Sequence, residues 1–154
     1  MRRLIVCGVI ALNLLVVSCS KEDISSNETD ISFTITDHIL DLANQHRMSI
    51  GKDALVRSIE ADKVAAFHTN YMIEQGLISH DNFYKRMEEL RDLVNAKAVA
   101  ENVACGYASG ESVIEGWLNS PGHKANIEGD FTHVGISAIT DEDGRYYYMQ
   151  IFYR

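Results

Sequence analysis

Residues 100–127 read AENVACGYASGESVIEGWLNSPGHKANI. The stretch opens with a short apolar run interrupted only by Glu101 and Asn102. It passes through Gly106–Gly110 into an amphipathic segment, Glu111 to Leu118, with Val113, Ile114, Trp117 and Leu118 at helical spacing. Asn119-Ser120-Pro121-Gly122 stops that helix, and His123 to Ile127 is one more helical turn. The opening run reads as a strand. Its two polar residues need partners if they are buried.

Working outward, the end of the chain is a hairpin. Val134, Ile136 and Ala138 alternate with Gly135 and Ser137, and Asp141-Glu142-Asp143-Gly144 is the turn. The returning strand puts Tyr146, Tyr148 and Phe152 on one face and Tyr147, Met149 and Ile151 on the other, so it is expected to be covered on both sides. Upstream, Thr36 is placed to cap a helix carrying Ile39, Leu42, Ala43 and His46. A second helix starts between Leu55 and Ser58, with Ala61, Val64, Ala65, His68, Tyr71 and Met72 as its stripe and Gly76 as its stop. His68 on that stripe reads as a hydrogen-bonded core histidine. A third helix, Phe83 to Val94, turns Phe83, Met87, Leu90 and Val94 inward, with Arg86, Glu88 and Glu89 on its solvated side. Helices first and strands last imply an α+β fold: a three-layer α-β-α sandwich around an antiparallel sheet with a C-terminal hairpin.

The first residues read as an export signal. Met1-Arg2-Arg3 is a basic head, and Leu4 to Val17 is an apolar core too short for a typical membrane span. Val16-Val17-Ser18-Cys19 resembles the lipobox of bacterial lipoproteins, in which Cys19 is lipidated. Residues 1–18 are then the signal, 19–31 a lipidated flexible tether and 32–154 the folded domain. Ser20-Lys21-Glu22-Asp23 is similar to a surface-export signal of some Gram-negative lipoproteins. The expected location is the cell envelope, on a lipid anchor, with surface exposure on the outer membrane open. Loss of Arg2 and Arg3 with the leader moves the formal charge of the 154-residue chain from −8 to −10, which argues against nucleic acid or an anionic membrane surface as partner. After Cys19 only Cys105 remains, so no internal disulfide is available and packing must hold the domain.

Several of these segments together resemble the CAP superfamily (cysteine-rich secretory proteins, antigen five, pathogenesis-related one), also called the SCP domain. Leu42, Asn44 and Arg47 are similar to its first-helix motif, and Ala65, His68 and Met72 to its second-helix motif. Ser79-His80, Ala100-Glu101-Asn102-Val103-Ala104, Trp117 to Ile127 and Val134-Gly135-Ile136 follow in family order. The resemblance implies the three-layer fold and a central cleft. It carries His80, His123 and Glu101 onto three of the family's four cleft residues. The second acid, three residues after the Trp in eukaryotic members, is Ser120 in this chain, and Glu115 lies two before the Trp. Asn102 and Ser120 are expected to support the cleft.

Three readings of His80, Glu101 and His123 remain open at this level. Two imidazoles and a carboxylate suit a divalent ion such as zinc with an open fourth position, although no cofactor is certain. The same groups suit a hydrogen-bonded cluster that pins three segments together. They also suit a hydrolytic site acting on peptide or envelope polymer, with Glu101 as base, for which no nucleophile is evident beyond Cys105. With the second acid missing, the expected function is an extracytoplasmic binding or interaction module for a lipid, peptide or envelope ligand, with metal-assisted hydrolysis as the alternative.

Overall fold

The structure, a computed structural model, describes the backbone of residues 25–154 and side chains from residue 35. The expected leader, Cys19 and the start of the tether lie outside the described residues. Five helices and four strands follow: α1 (Ser25–Ser49), β1 (Val56–Arg57), α2 (Ile59–Gln75), α3 (Phe83–Val94), β2 (Val99–Cys105), α4 (Gly110–Leu118), α5 (Pro121–Ile127), β3 (His133–Thr140) and β4 (Tyr146–Tyr153).

The sheet order is β1-β3-β4-β2. β3 and β4 form the expected antiparallel hairpin, and β2 joins β4 antiparallel. The two-residue β1 adds to β3 in parallel, so the sheet is mixed rather than wholly antiparallel. Alternation along β4 divides the core. Tyr148 and Phe152 pack with Ile39, Val113, Trp117 and Ile127 from α1, α4 and α5. Tyr147, Met149 and Ile151 pack with Ala61, Val64, Met72 and Leu90 from α2 and α3. The sheet is therefore covered on both faces, in three layers.

Close approach of α2 to the sheet depends on Gly135. A Cβ there would collide with the Ala61 backbone, so this position of β3 must lack a side chain. Ser58 caps α2, accepting from the Ala61 N–H at 3.2 Å. Gly76 ends α2 at φ 68°, the left-handed conformation expected of a helix stop.

Two local expectations are corrected. α1 begins at Ser25, well upstream of Thr36, and residues 25–36 contain no Gly or Pro to break a helix. Thr36 is therefore not a cap; it is buried and accepts from Arg57 Nη2 at 2.8 Å. Pro121 does not only stop α4; it opens α5, where its missing N–H costs nothing.

Candidate functional site

β2 is an edge strand, and its alternation splits the polar pair. Glu101 shares parity with Val103, which packs on the α2–α3 side. Asn102 shares parity with Ala104, which packs on the α4–α5 side. Each polar side chain meets a different helical layer.

On the α3 side, Glu101 meets Arg86. The guanidinium Nε donates to Glu101 Oε2 at 2.9 Å and Nη2 to Oε1 at 2.6 Å. The remaining donors serve other groups. Nη1 reaches His68 Nδ1 at 2.9 Å and the Asp81 carbonyl at 2.6 Å, and Nη2 also approaches the His80 carbonyl at 3.5 Å. All five N–H groups of Arg86 have partners. Its side chain is 6% exposed and that of Glu101 3%. Arg86 was expected on the solvated side of α3. It lies instead on the buried stripe, three residues after Phe83 and four before Leu90, a spacing visible in the sequence.

His68 is the hydrogen-bonded core histidine that was expected. It is buried, and Nε2 donates to the Ser79 carbonyl at 2.8 Å while Nδ1 faces Arg86. Burial is the main cause that lowers its pKa below 6.5. The Ser79 carbonyl opposes that shift, Arg86 adds to it, Glu101 opposes it and His80 adds to it. His68 and Arg86 thus hold three successive carbonyls, those of Ser79, His80 and Asp81. The loop so fixed presents the His80 ring, whose Nδ1 lies 2.7 Å from Glu101 Oε1 and whose side chain is 55% exposed.

On the opposite side, Asn102 is fully buried. Its Nδ2 donates to the His123 carbonyl at 3.1 Å and to Gln150 Oε1 at 3.3 Å, and its Oδ1 accepts from Asn126 Nδ2 at 2.9 Å. Asn126 also donates to the Glu101 carbonyl at 3.0 Å. Asn126, which sequence reasoning did not single out, thus ties Asn102 and the Glu101 backbone to α5. Ser120 lines the cleft and stands just before α5, without a side-chain capping bond.

His123 lines a cleft of about 280 Å3 with Ile78, Cys105, Tyr107, Trp117 and Ser120. The Trp117 indole is anchored by donation to the Val103 carbonyl at 3.3 Å. Burial, then the nearby His80 charge, lowers the His123 pKa below 6.5. The structure thus joins His80 directly to Glu101 and leaves His123 within electrostatic reach of His80, across the β2 edge. A zinc ion held by all three groups would have to compete with the bonds that Glu101 already accepts from Arg86 and His80. Among the described residues, no three His, Cys, Asp or Glu side chains come together as a metal-ligand set.

Two measurements probe the cluster. Arg86→Met should lower stability by about 3–5 kcal/mol, because it strands a buried carboxylate, and chemical denaturation reads this. The depressed His68 pKa gives stability that is fully present above the unfolded value near about 6.5 and is lost as pH falls through the folded value. His68→Gln keeps an acceptor for Arg86 and a donor for Ser79 but cannot titrate. Urea melts at about pH 7.5 and about pH 5 should show a smaller acid loss in His68→Gln than in the parent. An equal loss would exclude His68 as a source of the acid sensitivity.

Comparison with known proteins now has a geometry to attach to. The family model described as "CAP: Cysteine-rich secretory protein family" matches residues 40–152. An uncharacterized membrane protein of Bacillus subtilis, YlbC, is 35% identical over 128 residues, covering 79% of this chain and 35% of its own length. A second uncharacterized B. subtilis protein, YkwD, is 26% identical over 105 residues, covering 66% and 41%. This chain thus spans between a third and a half of the curated relatives it matches. Among solved structures, an extracellular protein of Bacillus anthracis containing an SCP domain superposes with TM-score 0.73 at 27% identity, covering 88% of this chain and 45% of the other. An outer surface protein of Borrelia burgdorferi has TM-score 0.69 at 20% identity, covering 84% and 94%, and shares the fold. With its three layers, its motifs and a family match over most of its length, the chain belongs to the cysteine-rich secretory protein family, the CAP or SCP domain.

Proposed function

We propose that this chain is an exported, envelope-anchored binding module. Its cleft takes a ligand with an apolar body and holds it without covalent chemistry. One observation carries the reading: Glu101, the only carboxylate of the candidate set, has both oxygens committed to Arg86, so it is not free to act as a base. The cleft wall is suited to packing. Ile78, Val103, Tyr107 and Trp117 supply aliphatic and aromatic surface, and His123 supplies a polar end. Cys105 packs toward the α2–α3 core and Ser120 opens α5. Among the described residues, neither is hydrogen-bonded to an imidazole that would activate it.

Export is supported by the basic head and apolar core of residues 1–17 and by similarity to proteins described as extracellular or membrane-associated. Anchoring rests on the lipobox-like residues before Cys19. No helix among the described residues is long and apolar enough to cross a membrane. Cys19→Ala is expected to move the protein from the membrane to the soluble fraction or to leave the precursor uncleaved. Unchanged fractionation with normal processing would refute the anchor.

Trp117 is the only tryptophan of the chain, so its fluorescence reports the cleft directly. Octyl glucoside below its micellar concentration combines an alkyl body with a hydroxylated end. It should change Trp117 emission saturably, and Ile78→Glu, which puts a charge on the cleft wall, should abolish the change while the fold is kept. Mass spectrometry should recover the glucoside intact. Cleavage of the probe would replace the binding reading with a hydrolytic one, and a flat titration would reject the cleft as a site for such ligands.

A further inference from the structure

The hydrogen-bond chain through Arg86 fixes more than the position of Glu101. A carbonyl only accepts and a guanidinium only donates. His68 lies between the Ser79 carbonyl and Arg86 Nη1, so its neutral ring must carry its proton on Nε2 and accept at Nδ1. The same logic runs forward. Both Glu101 oxygens receive Arg86 N–H groups, so both act as acceptors. His80 Nδ1, 2.7 Å from Glu101 Oε1, must therefore donate. In the neutral ring that leaves Nε2 without a proton. Among the described residues Nε2 has no partner, and the side chain is 55% exposed. His80 is not itself among the residues lining the cleft; it stands two residues beyond Ile78, which is, and close enough to His123 for the two rings to interact electrostatically.

We propose that Arg86 is a positioning residue for His80. By orienting the Glu101 carboxylate, an acceptor at both oxygens, against His80, it keeps His80 protonated at Nδ1 and presents a bare Nε2 beside the cleft. The cleft therefore selects apolar ligands whose polar end brings a hydrogen-bond donor, such as a hydroxyl or an amide N–H, over ligands whose polar end only accepts. A donor that loses its water on binding needs the Nε2 acceptor, and a group that only accepts leaves Nε2 unpaired. The ligand half of this inference rests on the binding reading; the tautomer half does not.

Nitrogen-15 NMR of the imidazoles at about pH 8 tests the tautomer without any ligand. The parent should show His80 protonated at Nδ1 and bare at Nε2. Arg86→Lys keeps the charge but not the two-pronged grip, and Glu101→Asp keeps the ion pair but withdraws the carboxylate from His80. Whichever variant retains the parent's circular dichroism should show mixed His80 tautomers. An Nε2–H ring in the parent, or an unmixed ring in the folded variants, overturns the proposal. A purely structural Arg86 would lower stability and leave the tautomer unchanged.

Trp117 fluorescence then compares 1-octanol with heptyl methyl ether, an uncharged isomer that has no donor. Octanol should bind about tenfold tighter to the parent, the size of one matched hydrogen bond against an unpaired acceptor, and the ratio should fall toward unity in Arg86→Lys. Equal or tighter binding of the ether overturns the claimed selectivity. If neither probe moves Trp117, the binding reading and the claimed selectivity both fail, while the NMR arm still decides the role of Arg86.

Discussion

A single buried ion pair, Arg86 with Glu101, organises one side of this domain. It joins an edge strand to α3, and through the other guanidinium donors it gathers α2 and the loop that carries His80. Buried pairs of this kind contribute little net stability when compared with apolar packing, because desolvation offsets most of the attraction. Their effect is on geometry. With five donors fully used, Arg86 allows few alternative arrangements of the loop around it, and the loop in turn sets where an imidazole stands. The cleft is shaped from behind by a cation that does not line it.

The opposite side of β2 is organised by amides. Asn102 and Asn126 bond to each other and to the backbones at Glu101 and His123, so the start of α5 and the middle of β2 are held in register. Successive residues of one strand thus hold the two histidines through separate networks, one ionic and one neutral. The ionic network is expected to respond to acid through His68. The amide network holds His123 through its backbone carbonyl alone, and that imidazole, its pKa also lowered by burial, gives the second wall an acid sensitivity of its own.

Much of the fold was legible from the sequence. The alternation in β4 predicted a strand covered on both faces, and Tyr148 and Tyr147 do face opposite layers. The α3 segment and the β3–β4 hairpin fall where periodicity and the Asp-Gly turn place them. The two-residue β1 was missed because Val56-Arg57 is too short for any period to register. The start of α1 was misplaced because Thr36 is a plausible cap with nothing upstream to forbid helix. The error at Arg86 is more instructive. Its place at i+3 from Phe83 and i−4 from Leu90 puts it on the inward stripe, but a charged residue is ordinarily assigned to solvent. Glu101 already required a donor, and pairing those two needs would have identified Arg86. The resemblance pointed to His80, Glu101 and His123, and the structure bonds His80 to Glu101 while placing His123 in the cleft wall. The resemblance could not show that the carboxylate is already occupied, since that depends on a residue outside the shared motifs.

β2 lies at the open edge of the sheet, a position that ordinarily invites another strand to pair. Here the outward carbonyls of Glu101 and Val103 are already taken, by Asn126 Nδ2 and by the Trp117 indole. The same two side chains that help to build the cleft therefore deny its edge to a neighbouring molecule. The described residues hold one free cysteine, so packing alone protects this domain from its neighbours. In such a chain, a wall of the cleft also guards against self-association.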